Sequence, residues 1–199
     1  MGLVAYDGIS MLRSATARHN IHLSVLIAEV ALWANPEAHR RLVGQNGSGA
    51  YFPSTRRYRV SAGERRGEVR NGERLDDNTY ANHAIKQAIG IKAKDVIGFE
   101  TCHIWPQTCY DVRYHTNIAN LVLIPRPIAG LSDHDPDIQA ALQFRSYELY
   151  GWYPAECQPP VRPQFYPANW RQPMPFTPTV AKALGNRKLS YLSSLSQPQ

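Results

Sequence analysis

The stretch Val96-Ile97-Gly98-Phe99-Glu100-Thr101-Cys102-His103-Ile104-Trp105-Pro106-Gln107 sets the fold class of this chain. Its β-branched and aromatic content predicts a strand over Val96 to Ile104, ended by Pro106, which cannot donate to a ladder. Residues 107–117 predict a loop. Ile118-Ala119-Asn120-Leu121-Val122-Leu123-Ile124 predicts a second short strand, stopped by Pro125. A further loop holds Ser132-Asp133-His134-Asp135, after which Asp135 can cap and Pro136 can open a helix. Ile138, Ala141, Leu142 and Leu149 carry that helix toward Tyr150, and Gly151 ends it. Strand, loop, strand, helix is an α+β order, with a histidine at the end of its first strand.

Downstream, prolines 154, 159, 160, 163, 167, 173, 175 and 178 are interleaved with Phe165, Tyr166, Trp170 and Phe176. So many prolines forbid a helix and discourage a strand. The aromatics predict an extended arm packed along the body or along a partner. Residues 190–199 predict a frayed tail.

Upstream, residues 75–90 predict a helix capped by Asp76 or Asp77 and ended by Gly90, with Ala81, Ala84, Ile85, Ala88 and Ile89 as its apolar stripe. Residues 14–43 read as helical through Ile21, Leu23, Leu26, Ile27, Val30 and Trp33. Asn35-Pro36-Glu37 starts a second helix that runs to Val43 and stops at Gly44. A tight junction there would make a helix-turn-helix, but the pattern is a common one and plain packing is the preferred explanation. Residues 45–74 hold seven Arg against Glu64, Glu68 and Glu73, so most of the net charge of +6 lies there. Tyr51, Phe52 and Tyr58 sit at the start of the segment. Arg with aromatics and Gly suits a loop or hairpin that touches phosphates, and also an ordinary solvated hairpin. Arg56, Arg57, Arg59, Arg65, Arg66 and Arg70 are the candidate contacts.

Composition narrows the classes. Among 199 residues, 43% are hydrophobic and 19% charged, which excludes wholesale disorder. No apolar run approaches the ~18 residues of a membrane span. Three Cys make a disulfide framework unexpected, and together with an N-terminus that lacks a basic signal region they predict a cytoplasmic protein. A pI near 9.3, with Arg as the main base, favours a polyanionic partner.

His103-Ile104-x-Pro106-Gln107, then Asn120-Leu121-x-Leu123, then His134 ahead of a helix, resembles the HNH, or ββα-metal, nuclease family. The likeness covers about residues 96–150. It implies a metal-dependent DNA endonuclease of restriction or defence type, acting on duplex DNA, with a palindrome-reading homodimer as the usual architecture. His103 would be the general base, since a neutral imidazole can take a water's proton at neutral pH. Asn120 would tie the loop to the sheet so that His103 points correctly. His134 would be a metal ligand from the helix side. The family often has an acid or a second His where this chain has Cys102, and a polar ligand where it has Ala129. Thiolate is a poor partner for Mg²⁺ or Mn²⁺ and a good one for Zn²⁺ or Ni²⁺. Cys102 and Asp133 therefore join the candidate metal ligands, with Glu100, Asp135 or His115 as possible substitutes. A zinc site built from Cys102, Cys109, Cys157 and a His is a further option.

Arg113, His115 and Arg126 are further candidate nucleic-acid contacts. The chain divides by composition into a helical and Arg-rich nucleic-acid-contacting region (1–94), a ββα core (95–153), and a Pro/aromatic arm with tail (154–199). Two other readings stay open: a catalytically degenerate HNH-like module that binds nucleic acid without cutting it, and an Arg-rich interaction protein.

Overall fold

Local capping chemistry starts most of the helices in a computed structural model of the protein, which describes residues 7–57, 65–70 and 72–185. The Asp7 carboxylate accepts from Ile9 N and opens α1 (Gly8–Ala17). The first of the two helices expected within residues 14–43 is itself broken. Asn20, in the left-handed region at φ 56°, turns the chain, and α2 (Leu23–Val30) follows. Residues 31–35 are extended, with Leu32 N donating to Leu123 O at 2.9 Å, so no helix-turn-helix forms. Asn35 caps α3 (Pro36–Asn46) as expected. This helix passes Gly44 and ends at Gly47, whose φ of 77° suits a residue without a Cβ.

The Arg-rich segment is a small sheet of β1 (Ser54–Arg56), β2 (Val69–Arg70) and β3 (Glu73–Asp76). β3 is central, parallel to β1 and antiparallel to β2. β3 takes the first residues predicted as helix, so α4 runs Thr79–Ala88. Asp76 still helps to start it, accepting from Tyr80 N.

β4 (Phe99–His103) pairs antiparallel with β5 (Leu121–Pro125), Cys102 opposite Val122 and His103 opposite Leu121. Both strands are shorter than predicted. A left-handed Gly98 precedes the first, and a 3-10 turn over Ile118–Asn120 replaces the start of the second. The expected loop after β5 instead forms two short helices, α5 (Arg126–Ala129) and α6 (Leu131–His134). α7 (Pro136–Tyr150) has the predicted Asp135 cap and left-handed Gly151 stop. Pro arm residues 154–177 form neither helix nor strand and pack on the body, Arg171 N donating to Ala28 O and Met174 N to Trp33 O. The last described helix, α8 (Pro178–Gly185), buries Val180 and Leu184 and had no counterpart in the sequence reading.

The protein is α+β. β5 is its axis, and its alternation splits the core in two. Val122 and Ile124 face a cluster with Ile27, Trp33, Ile138, Leu142 and Trp170. Leu121 and Leu123 face a second with Leu42, Ile85, Val180 and Leu184. Each fully buried Leu or Ile contributes about 1.5–3 kcal/mol. Both clusters draw on all three compositional stretches of the chain, so the stretches share one packed interior. Among the described residues, no helix is long and apolar enough to cross a membrane.

Candidate functional site

The 3-10 turn before β5 places Asn120 under the loop that follows β4. Its fully buried amide closes that loop in both directions. Oδ1 accepts from Trp105 N at 3.0 Å, while Nδ2 donates to Thr108 Oγ1 at 2.8 Å and to Tyr114 O at 3.0 Å. Asn120 O also accepts from Ile104 N. This side chain thus links the end of β4, the 3-10 turn over Pro106–Tyr110 and the return toward β5.

His103, on the last residue of β4, shares a face with Leu121. Its Nε2–H donates to His115 O at 3.0 Å, which fixes the tautomer and leaves the lone pair on Nδ1. The rings of His103 and His115 stack at 5.2 Å and 18°. His115 Nε2 in turn meets Asp76 Oδ2 at 3.2 Å, with both side chains buried. Burial pushes the Asp76 carboxyl up, but bonds from His115 and Tyr80 N outweigh it and hold the group below its usual range. Burial is also the main reason His103 is pushed down to about 3, with His115 and Arg56 adding to the effect. The ring is therefore neutral at physiological pH.

His103 lines a cleft of about 210 Å³ with Arg56, Asn78, Glu100, Cys102 and Asp133. β4 supplies His103, Cys102 and Glu100, the end of β1 supplies Arg56, and α6 supplies Asp133. Burial pushes the Cys102 thiol up to about 12, and its Sγ lies 3.9 Å from the carbonyls of Glu100 and Ala129. The cysteines are free thiols.

Other candidates lie elsewhere. His134, one residue beyond Asp133, is exposed and does not line the cleft, because α6 turns it away. Asp135 is engaged by the Arg13 guanidinium and by the first turn of α7. His115, expected at the nucleic-acid surface, is fully buried because its ring supports His103 and bonds Asp76. Arg57 forks Asp77, Arg70 bonds Glu68, and Arg113 pairs with Asp111 and Glu156. Arg65 is exposed, and Arg66 donates to Thr79 Oγ1 at 2.8 Å. Arg59 lies outside the described residues, as do Tyr58, Glu64 and the 190–199 tail. Arg126 lines a neighbouring cleft.

Sequence reasoning missed Asp76 as a partner of the site, having taken it only as a helix cap. It also missed Asn78, a non-glycine residue at φ 74° whose Oδ1 is buried without a partner. The run Asp76-Asp77-Asn78 was the available signal, since Asn tolerates the left-handed region. Among the described residues, no three His, Cys, Asp or Glu side chains are grouped closely enough to hold a metal ion by themselves. In comparisons with known proteins, no family model matches this chain, and no curated protein or solved structure does.

Proposed function

We propose that the protein is a metal-dependent DNA endonuclease of the ββα-metal, or HNH, type, with His103 as the general base. One observation carries this reading. The Nε2–H of His103 is spent on the His115 carbonyl, so Nδ1 is the lone-pair nitrogen of a side chain that lines a polar cleft. A base held in one tautomer beside a cleft can take a proton from a water positioned there. The low proton affinity of free His103 keeps it in the basic form, and the negative charge of a bound phosphodiester would raise that affinity during reaction. Arg56, in the same cleft, can meet a phosphate oxygen. Asn120 acts by holding the loop that carries the His115 carbonyl.

Glu100 and Asp133 are the cleft carboxylates that would hold a divalent ion, and two carboxylates suit Mg²⁺ or Mn²⁺, which retain waters and take further oxygens from phosphate. Such an ion, when bound, supplies neutralisation of the charge that develops on phosphorus. The protonated, buried thiol of Cys102 makes it a weaker candidate ligand, and with it the case for Zn²⁺ or Ni²⁺. Two copies on a palindromic duplex would place symmetric cuts on the two strands.

A second reading, binding without hydrolysis, draws support from the same thiol, which stands where the family commonly has an acid or a His. Plasmid and phage DNA incubated with Mg²⁺, Mn²⁺, Ni²⁺ or Zn²⁺, wild type beside His103→Ala, decides between them. We expect discrete fragments from wild type and a loss of about 10²–10⁴-fold in the variant, with duplex binding retained. Binding by both proteins and cleavage by neither, with every ion, overturns the nuclease reading in favour of the second.

A further inference from the structure

A second cleft, of about 460 Å³, lies between α4 and the free edge of β4 and shares Asn78, Glu100 and Thr101 with the first. Its floor is that edge, covered by side chains of α4 and its cap. Asn78 Nδ2 donates to Thr101 O at 3.2 Å, and Thr101 Oγ1 donates to Asn82 Oδ1 at 2.9 Å. The second bond fixes the Asn82 amide with its Nδ2 as a donor.

Two cations, Lys86 and Arg126, line this cleft. Arg13, Arg40, Arg41, Arg57, Arg70, Arg113 and Arg145 are each matched to a carboxylate. Like several other cations of the surface, Lys86 and Arg126 have no acid partner among the described residues. Asp77 lines the same cleft but is neutralised by Arg57. Glu100 is the remaining acid, and it sits where the two clefts join.

We propose that this cleft seats the sugar-phosphate backbone of the strand flanking the scissile diester, with Lys86 and Arg126 as its phosphate contacts. The placement rests on the nuclease reading of the first cleft, which the shared wall joins to the second. Two cations and an amide donor are groups that bind phosphodiester oxygens, and Val96 and Phe99 in the lining offer apolar surface to the sugars.

The test compares wild type with the Lys86→Ala/Arg126→Ala double variant. Affinity for a short DNA duplex is measured against KCl concentration. Hydrolysis of that duplex and of bis(p-nitrophenyl) phosphate, a diester with no neighbouring phosphate, is measured with Mn²⁺. Two lost phosphate contacts lower the salt slope by about 1.8, and duplex kcat/KM falls more than that of the small diester. A Lys86→Arg/Arg126→Lys variant, which keeps both charges, restores the slope. An unchanged slope with an active wild type overturns the flanking-strand cleft and leaves the nuclease reading standing. Equal losses on both substrates also overturn it, since the cations would then act at the scissile phosphate. A slope that falls as expected in a protein that cleaves nothing removes the nuclease reading and overturns the placement beside a scissile diester, leaving only a backbone-binding cleft. A wild type that binds no duplex overturns both.

Discussion

The loop between β4 and β5 and the Arg-rich sheet are close neighbours built on opposite principles. In the loop, His103, His115, Thr116, Asn117 and Asn120 are buried polar residues, and each makes hydrogen bonds inside the protein. In the sheet, Arg65, Arg66 and Arg70 are exposed. The loop's geometry is set before any ligand arrives, because an unsatisfied buried donor or acceptor is costly. The sheet's exposed cations are not locked in place by burial. The two are nonetheless joined. Thr116 Oγ1 accepts from Tyr51 N and Phe52 N, and Asn117 Nδ2 donates to Ser48 O at 2.7 Å, so the chain leading into β1 hangs from the loop. Substitutions in the loop should therefore register in stability, and substitutions on the sheet in binding.

Acid offers the largest test of that contrast. The buried imidazoles of His39 and His103 are pushed down to about 4 and about 3. The unfolded chain takes up protons below its ordinary value near 6.5, while the folded chain does so only below these lowered values. Stability present at neutral pH is therefore lost as pH falls from about 6.5 toward 4, by up to about 3 kcal/mol per histidine. Urea midpoints at pH 7 and pH 4 measure the loss, and His39→Gln should flatten part of it. A midpoint that ignores pH would mean these rings are hydrated.

Asn120→Ala comes next. It strands Trp105 N and Tyr114 O and should cost about 3 kcal/mol, read as a lowered thermal midpoint together with lost cleavage. A stable but inactive variant would confine Asn120 to positioning. Asp76→Ala removes the acceptor for both His115 and Tyr80 N. We expect a loss of about 2 kcal/mol, with a fall in activity that Asp76→Asn partly restores.

Gly49, in the chain that leads into β1, lies at φ 76°, where an added Cβ would lie 2.6 Å from His39 Nε2. Gly49→Ala should cost about 1–2 kcal/mol from its backbone alone, measured by chemical denaturation. Arg65→Ala, on the sheet, should leave the midpoint in place and lower the duplex salt slope by about 0.9. A fallen midpoint there would erase the distinction between the regions.

Much of the hairpin-helix unit was legible because its signals are local. Pro106 and Pro125 bound the strands, Asp135-Pro136 opens α7, and Gly151 closes it, each through its own backbone chemistry. Asn120 bonds across the loop, and His103 lines the cleft. Asp133 lines that cleft and its neighbour His134 does not, since the facing of a short helix follows from packing that no periodicity encodes in four residues. α8 was overlooked because its partners, α3 and α4, are far away in sequence.

Sequence alone determined the α+β order, the caps of α3 and α7 and the stop of α7, the extended Pro arm and the surplus of arginine, because propensity, capping and charge act within a few residues. Tertiary structure alone decided that Asp76 and His115 stand behind His103, that Glu100 and Asp133 share its cleft, and that Lys86 and Arg126 line one cleft. Those relations join residues dozens of positions apart, brought together by burial of both faces of β5, and no local rule carries that information.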